Sequence, residues 1–193
     1  MSTVSIRWSG AALAVGTLLV GIVIALLTTR MASLATPWVA TLFLSGALLT
    51  VLALPGIYAH QAHAAGWVGL AGHALLVIGW VLMLFAAASP LLIPTVSGIP
   101  DTPAASLLAL AFLLGLVLTT IATLRAGVYP QWVGFLLLAN CIVFPFALFG
   151  DLLPTYGSVS LGSLFGIAFG LLFAGAFVGL GISAWTVSGK VAA

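Results

Sequence analysis

Six apolar runs divide the chain, at about 10–27, 38–58, 67–88, 104–124, 132–150 and 161–185. Each is close to the ~20 residues a helix needs to cross about 30 Å of hydrocarbon. Inside hydrocarbon a backbone must satisfy its own N–H and C=O groups, which leaves helices and closed barrels. Barrel strands alternate apolar and polar residues over about ten positions, and this chain has no such alternation. The expected fold is all-α: a single polytopic membrane helical bundle of six transmembrane helices.

The charge content closes the other routes. Four Lys/Arg and two Asp/Glu make up 3% of the 193 residues, against 64% hydrophobic. A soluble domain carries about 25% charged residues, so a soluble enzyme, a nucleic-acid binder and a secreted disulfide domain are all excluded. The net charge of +2 contains no basic run, so no nucleic-acid partner is expected. One cysteine, Cys141, allows no internal disulfide. No Gly-x-x-x-x-Gly-Lys-Ser/Thr loop is present for nucleotide hydrolysis. The expected partner is the lipid bilayer.

Local chemistry marks the boundaries. Thr36 before Pro37 reads as an N-cap followed by proline at the first helical position, and Asp101-Thr102-Pro103 repeats that logic. Pro130 opens the fifth run, and residues 89–100 form the longest loop. The first run follows Arg7 as a signal peptide would, but it exceeds a 7–15-residue signal core and Arg30 follows it, so a retained helix is expected. Trp8, Trp38, Trp67, Trp132 and Trp185 stand at run ends, where amphipathic rings anchor among headgroups. Six crossings put both termini on one side. That side holds Arg7, Arg125 and Lys190, whereas the other holds Arg30, Asp101 and Asp151. The excess of basic residues predicts that both termini are cytoplasmic.

Two patterns concern packing. Trp8-Ser9-Gly10, Trp67-Val68-Gly69 and Trp132-Val133-Gly134 open the odd runs alike, as three tandem two-helix units would; interfacial tryptophan among abundant glycine explains the same pattern. The mitochondrial-carrier signature is absent. In the last run Ser158, Gly162, Gly166, Gly170 and Ala174 recur every four residues. That stripe permits close backbone approach, either inside the bundle or at a homo-oligomer or membrane-complex interface through the Gly162, Gly166, Gly170 face.

Polar groups inside the runs are the pointers to chemistry, because they are expensive in lipid. Both acids lie in loops, away from any carboxylate-driven mechanism. A serine-type intramembrane protease would need a Gly-x-Ser-Gly segment, which is absent. His60, His63 and His73, at the end of the second run and the start of the third, form the candidate cofactor set for haem or metal. The bland alternative is interfacial histidines and one bundle hydrogen bond. Asn140, about 12 Å inward from Trp132, stands with Cys141 and Pro145, and a kinked helix with a mid-depth amide is how some transporters line a cavity. Tyr58, His60, Gln61 and His63 share the predicted cytoplasmic face with Arg125, Tyr129 and Gln131. This is the densest polar surface in the chain, and Asn140, Tyr58, Gln61 and Arg125 are the ligand or pore candidates.

The stretches Leu54-Pro55-Gly56-Ile57-Tyr58-Ala59-His60-Gln61, Ala64-Ala65-Gly66-Trp67-Val68-Gly69 and Ala122-Thr123-Leu124-Arg125-Ala126-Gly127-Val128-Tyr129-Pro130-Gln131-Trp132 resemble segments of small multi-span bacterial membrane proteins, a domain of unknown function. The resemblance covers two loops and their helix ends. It implies about six helices in the bacterial plasma (inner) membrane, and it supplies no catalytic residue. The reading expected from the sequence is a non-enzymatic membrane protein, an accessory subunit or a binder of lipophilic molecules. A small-solute transporter and a haem- or metal-binding redox protein are the alternatives.

Overall fold

The computed structural model describes residues 3–29, 31, 33, 34, 36–92, 103–148, 154–156 and 159–190. Arg30, Asp101, Asp151 and Ser158 lie outside them. Five helices carry the fold: α1 (Thr3–Thr28), α2 (Pro37–Leu92), α3 (Pro103–Ala126), α4 (Gln131–Leu148) and α5 (Leu161–Lys190). All five contain stretches long and apolar enough to cross a membrane. Two of the six expected runs are thus one helix. Only Gly66, at φ 58° and ψ −154°, leaves helical geometry inside α2. The chain reverses there: the rings of Tyr58 and His73 lie 5.3 Å apart, whereas fifteen residues of straight helix would separate them by about 22 Å. The linker the sequence suggested at 62–66 stays helical up to that one residue.

The conformation of Gly66 is close to glycine-only, and a Cβ added there would meet nothing within 4 Å. A Gly66→Ala exchange therefore isolates the backbone term. It is expected to lower unfolding stability in lipid–detergent mixtures by about 2 kcal/mol. Stability equal to wild type would show that the reversal does not depend on this dihedral.

The helix starts follow the expected boundaries with one change. Thr36 accepts the first bonds of α2 through its carbonyl oxygen (from Val39 N, 3.0 Å, and Ala40 N, 3.1 Å), but its hydroxyl lies against that of Ser33 rather than capping. The carbonyl of Pro130 accepts from Val133 N at the start of α4. A two-residue ribbon that the sequence reading did not contain, β1 (Thr155–Tyr156) with β2 (Val159–Ser160), pairs antiparallel before α5. It delivers Ser160, whose Oγ accepts from Ser163 N at 3.0 Å and caps α5. α4 stays helical through Pro145.

Packing runs round the bundle. α1 lies on the first arm of α2 and on α5, the second arm lies on α3, and α4 bridges α3 and α5. Small residues set the closest crossings. Gly16 faces Gly46 between α1 and α2, and Gly10 faces Gly181 between α1 and α5. Gly166 and Gly170 of the α5 stripe are buried against Thr28 and Ile24 of α1, so that face is used within the chain; Gly162 is half-buried. Aromatic side chains from four segments fill the middle. Trp80 of the second arm meets Phe112 of α3 (ring centroids 5.7 Å) and Phe173 of α5 (5.6 Å), and Phe112 meets Phe144 of α4 (5.4 Å). Trp8, Trp38, Trp67, Trp132 and Trp185 are exposed, as interfacial anchors are; Trp80 is buried. At one end Arg7 sits over the Trp185 ring, 4.5 Å from its centroid, and Trp8 packs edge-on against the same ring.

Candidate functional site

Several buried polar side chains lie on the two arms of α2 and on α3, toward the turns at Gly66 and Gly127. Their level follows from the pairing of the helices. Gly72 abuts Thr119, and Gly69 abuts Ala122. Tyr58 reaches across from the first arm to Gly69 and His73. Extending the second register sets Thr123 opposite residue 68 of the second arm. The His73 side chain leans back along its own helix: Nδ1 lies 2.9 Å from the Gly69 carbonyl oxygen. Thr119 stands one turn deeper on the same face of α3.

These side chains are closed off from solvent. Gln61 is 1% exposed, His73 4%, Thr119 1% and Thr123 2%. Yet Gln61 Oε1, His73 Nε2, Thr119 Oγ1 and Thr123 Oγ1 have no hydrogen-bond partner among the described residues. A buried polar group left so costs about 1–3 kcal/mol, and these four side chains are the candidate site. The other buried threonines bond back to their own helices: Thr17 to Leu13 O, Thr50 to Gly46 O and Thr120 to Leu116 O. The orphaned pair on α3 is therefore set apart by its surroundings, not by residue type.

Tyr129 closes one side. Its hydroxyl donates to the Ile57 carbonyl oxygen (3.2 Å), one turn before Gln61, and its ring lies 5.6 Å from that of His60. Burial raises the Tyr129 phenol well above its ordinary range, so it stays a protonated donor. No protein-family model, curated protein or solved structure matches the chain. The site is read from its own geometry.

The sequence candidates divide sharply. Of the polar surface expected around Arg125, only Arg125, His63 and Gln131 are exposed; Gln61 and Tyr129 turn inward, and Tyr58 and His60 are half-buried. The three histidines face different neighbours. His63 is exposed, His60 faces Tyr129 and His73 faces Tyr58. Among the described residues no three His, Cys, Asp or Glu side chains form a group able to hold a metal ion. Asn140 is fully buried. Its Nδ2 donates to Leu136 O of its own helix at 3.2 Å, and its Oδ1 has no partner among the described residues. Cys141 beside it lies 3.5 Å from the Thr120 hydroxyl across the α3–α4 contact. Deeper still the Trp80–Phe112–Phe173 aromatic cluster closes the interior. The sequence reading passed over Thr119 and Thr123, although two hydroxyls four residues apart in an apolar run share a helix face.

Proposed function

We propose that the chain is a non-enzymatic integral protein of the bacterial plasma membrane that crosses it six times, with both termini cytoplasmic, and binds a lipophilic molecule, with the buried, unpartnered Gln61, His73, Thr119 and Thr123 as candidate contacts. The observation that carries this reading is the set of buried polar atoms without partners among the described residues of an otherwise apolar bundle. Gln61, His73 and Thr123 lie within two helical turns of Gly66 or Gly127 along the chain, and aromatic side chains pack around Trp80 further along the second arm. A conduit would need polar groups to continue past Trp80. The count of six follows from treating the two arms of α2 as separate crossings; their reversal at Gly66 supports this.

Lipid extraction after mild purification tests the reading. Wild type is expected to retain one lipophilic species above its share of the membrane, and His73→Leu is expected to lose it. Equal profiles would sink the binding reading. Single-cysteine labelling at Ser9 and Ser188 tests the topology: both are expected to react from the cytoplasmic side, and reaction from opposite sides would rule out six crossings.

Asn140 supports a second reading, a small-solute transporter. Its Oδ1 is a mid-depth acceptor without a partner among the described residues, beside the Cys141 carbonyl that Pro145 leaves without its i+4 donor. Solute flux in proteoliposomes that Asn140→Leu abolishes would favour it over the binder.

A further inference from the structure

A groove opens on the outside of the bundle where α1 and α5 cross. Its volume is about 240 Å³, and Gly10, Ala11, Ala14, Gly181, Ile182 and Trp185 line it. Small residues make the room. A Cβ added at Gly10 would stand 2.5 Å from the Gly181 carbonyl oxygen, so the two backbones touch. Half-buried Ala11 and Ala14 leave a trough beside that contact, and exposed Ile182 and Trp185 form its α5 rim. The volume is below the ~300–1,000 Å³ of a site that encloses a whole small molecule. It suits one stretch of hydrocarbon chain lying along the helices.

A cation stands at one end of this trough. Arg7 precedes Ala11 and Ala14 by one and two turns on the same face of α1. Its guanidinium carbon lies 4.5 Å from the centroid of the Trp185 ring, and Trp8 packs edge-on against the same ring at 6.2 Å. A guanidinium held by its face still bonds phosphate through the donors in its plane. Trp8 and Trp185 are exposed, as anchors at headgroup level are, which sets Arg7 at the depth of lipid phosphates. The Arg7 side chain is half-buried, and its Nε has no hydrogen-bond partner among the described residues.

The chain's own acids are remote. Asp151 precedes α5 in sequence, and the helix from Leu161 to Trp185 rises about 36 Å. Asp101 precedes α3, which rises about 35 Å to the Gly127 turn. That turn lies at the Trp185 end, since a Cβ at Gly179 would meet Trp132 at the start of α4. Neither acid can neutralise Arg7, and a charge partly removed from water without a counter-ion is disfavoured. A lipid phosphate supplies the missing charge. A zwitterionic head would also bring an ammonium that finds no acid there; an anionic head brings the negative charge alone.

We propose that the α1–α5 groove seats an anionic phospholipid, its phosphate on Arg7 and one acyl chain along Ala11 and Ala14. The seat shares no residue with Gln61, His73, Thr119 and Thr123 and does not rest on them.

The test titrates three probes with the same two oleoyl chains, a phosphatidylglycerol, a phosphatidylcholine and a diacylglycerol, into the full chain in detergent. Bound lipid is counted by native mass spectrometry. The phosphatidylglycerol is expected to bind at least about ten-fold more tightly than the other two, as a charge-assisted hydrogen bond implies. Arg7→Gln is expected to remove that preference, whereas Arg125→Gln, at the exposed end of α3, and His73→Leu are expected to keep it. Ala11→Leu and Ile182→Phe fill the trough from its two sides and are expected to weaken binding with Arg7 in place. Melting points identify the variants that fold. Equal binding of phosphatidylglycerol and phosphatidylcholine would overturn the selection of an anionic head. The same loss in Arg125→Gln as in Arg7→Gln would show diffuse attraction by basic residues and overturn the seat. Unchanged binding in the folded trough variants would overturn the place assigned to the acyl chain. Loss of binding in folded His73→Leu would overturn the independence of the two regions.

Discussion

Gly16→Leu is expected to abolish a stable bundle. A Cβ at residue 16 would stand 2.6 Å from the Gly46 carbonyl oxygen and 2.9 Å from Thr50 N, both backbone atoms of the facing helix. The relation is mutual, since a Cβ at residue 46 would stand 2.7 Å from Gly16 O. Overpacking against side chains costs about 1–3 kcal/mol because rotamers give way. Here the backbone must retreat, so α1 and α2 separate along the crossing and lose contacts on either side. A loss above about 3 kcal/mol is expected, read as loss of the monodisperse species in gel filtration and a collapsed thermal transition. Gly166→Leu makes the internal comparison. The three atoms nearest its Cβ all belong to the Thr28 side chain, so a loss of about 1–2 kcal/mol is expected. Should Gly16→Leu melt with wild type, the α1–α2 crossing would not be a backbone-limited contact.

Trp80→Ala is expected to cost about 3 kcal/mol. The indole is 2% exposed and touches Phe112 and Phe173 from two other helices. In a bilayer the transfer of apolar surface contributes little, because lipid tails are as apolar as the side chains. The loss comes instead from contacts forfeited around a cavity that the aromatic rings cannot collapse to fill. Trp80→Phe separates packing from polarity. Its indole N–H has no partner among the described residues, so phenylalanine removes an orphaned donor with part of the volume. It is expected to stay within about 1 kcal/mol of wild type. Reversible unfolding in mixed micelles reads both. A larger loss for phenylalanine than for alanine would contradict the packing account.

Much of the site was visible in the sequence as residue types and invisible as directions. His73, Gln61, Tyr58 and Asn140 stood out as polar groups within or beside apolar runs. Their roles did not. Gln61 looked like part of a cytoplasmic rim, yet it is buried, because its position on the first arm of α2 faces inward with Ile57. Thr119 and Thr123 looked like Thr120 or Thr50. Only their position against the second arm of α2 leaves them without partners. The six tryptophans were alike in type, and burial separates Trp80 from the other five.

The reason lies in the solvent. In water a helix face that carries apolar residues must turn inward, so periodicity reveals direction. In a bilayer the lipid-facing and bundle-facing sides are both apolar. Leu18, Leu52, Leu114 and Leu171 face outward while Leu13, Leu54, Leu116 and Leu180 are buried, and nothing in their chemistry distinguishes them. What the sequence by itself determined was the all-helical class, the approximate helix limits and helices long and apolar enough to cross a membrane. These depend on local composition and on a backbone that must bond to itself. What only the tertiary structure decided was the reversal of α2 at a single residue, the pairing of glycines across helices, and which polar groups are buried without a partner among the described residues. Those depend on register between segments far apart in the chain, and register is a property of the packed bundle.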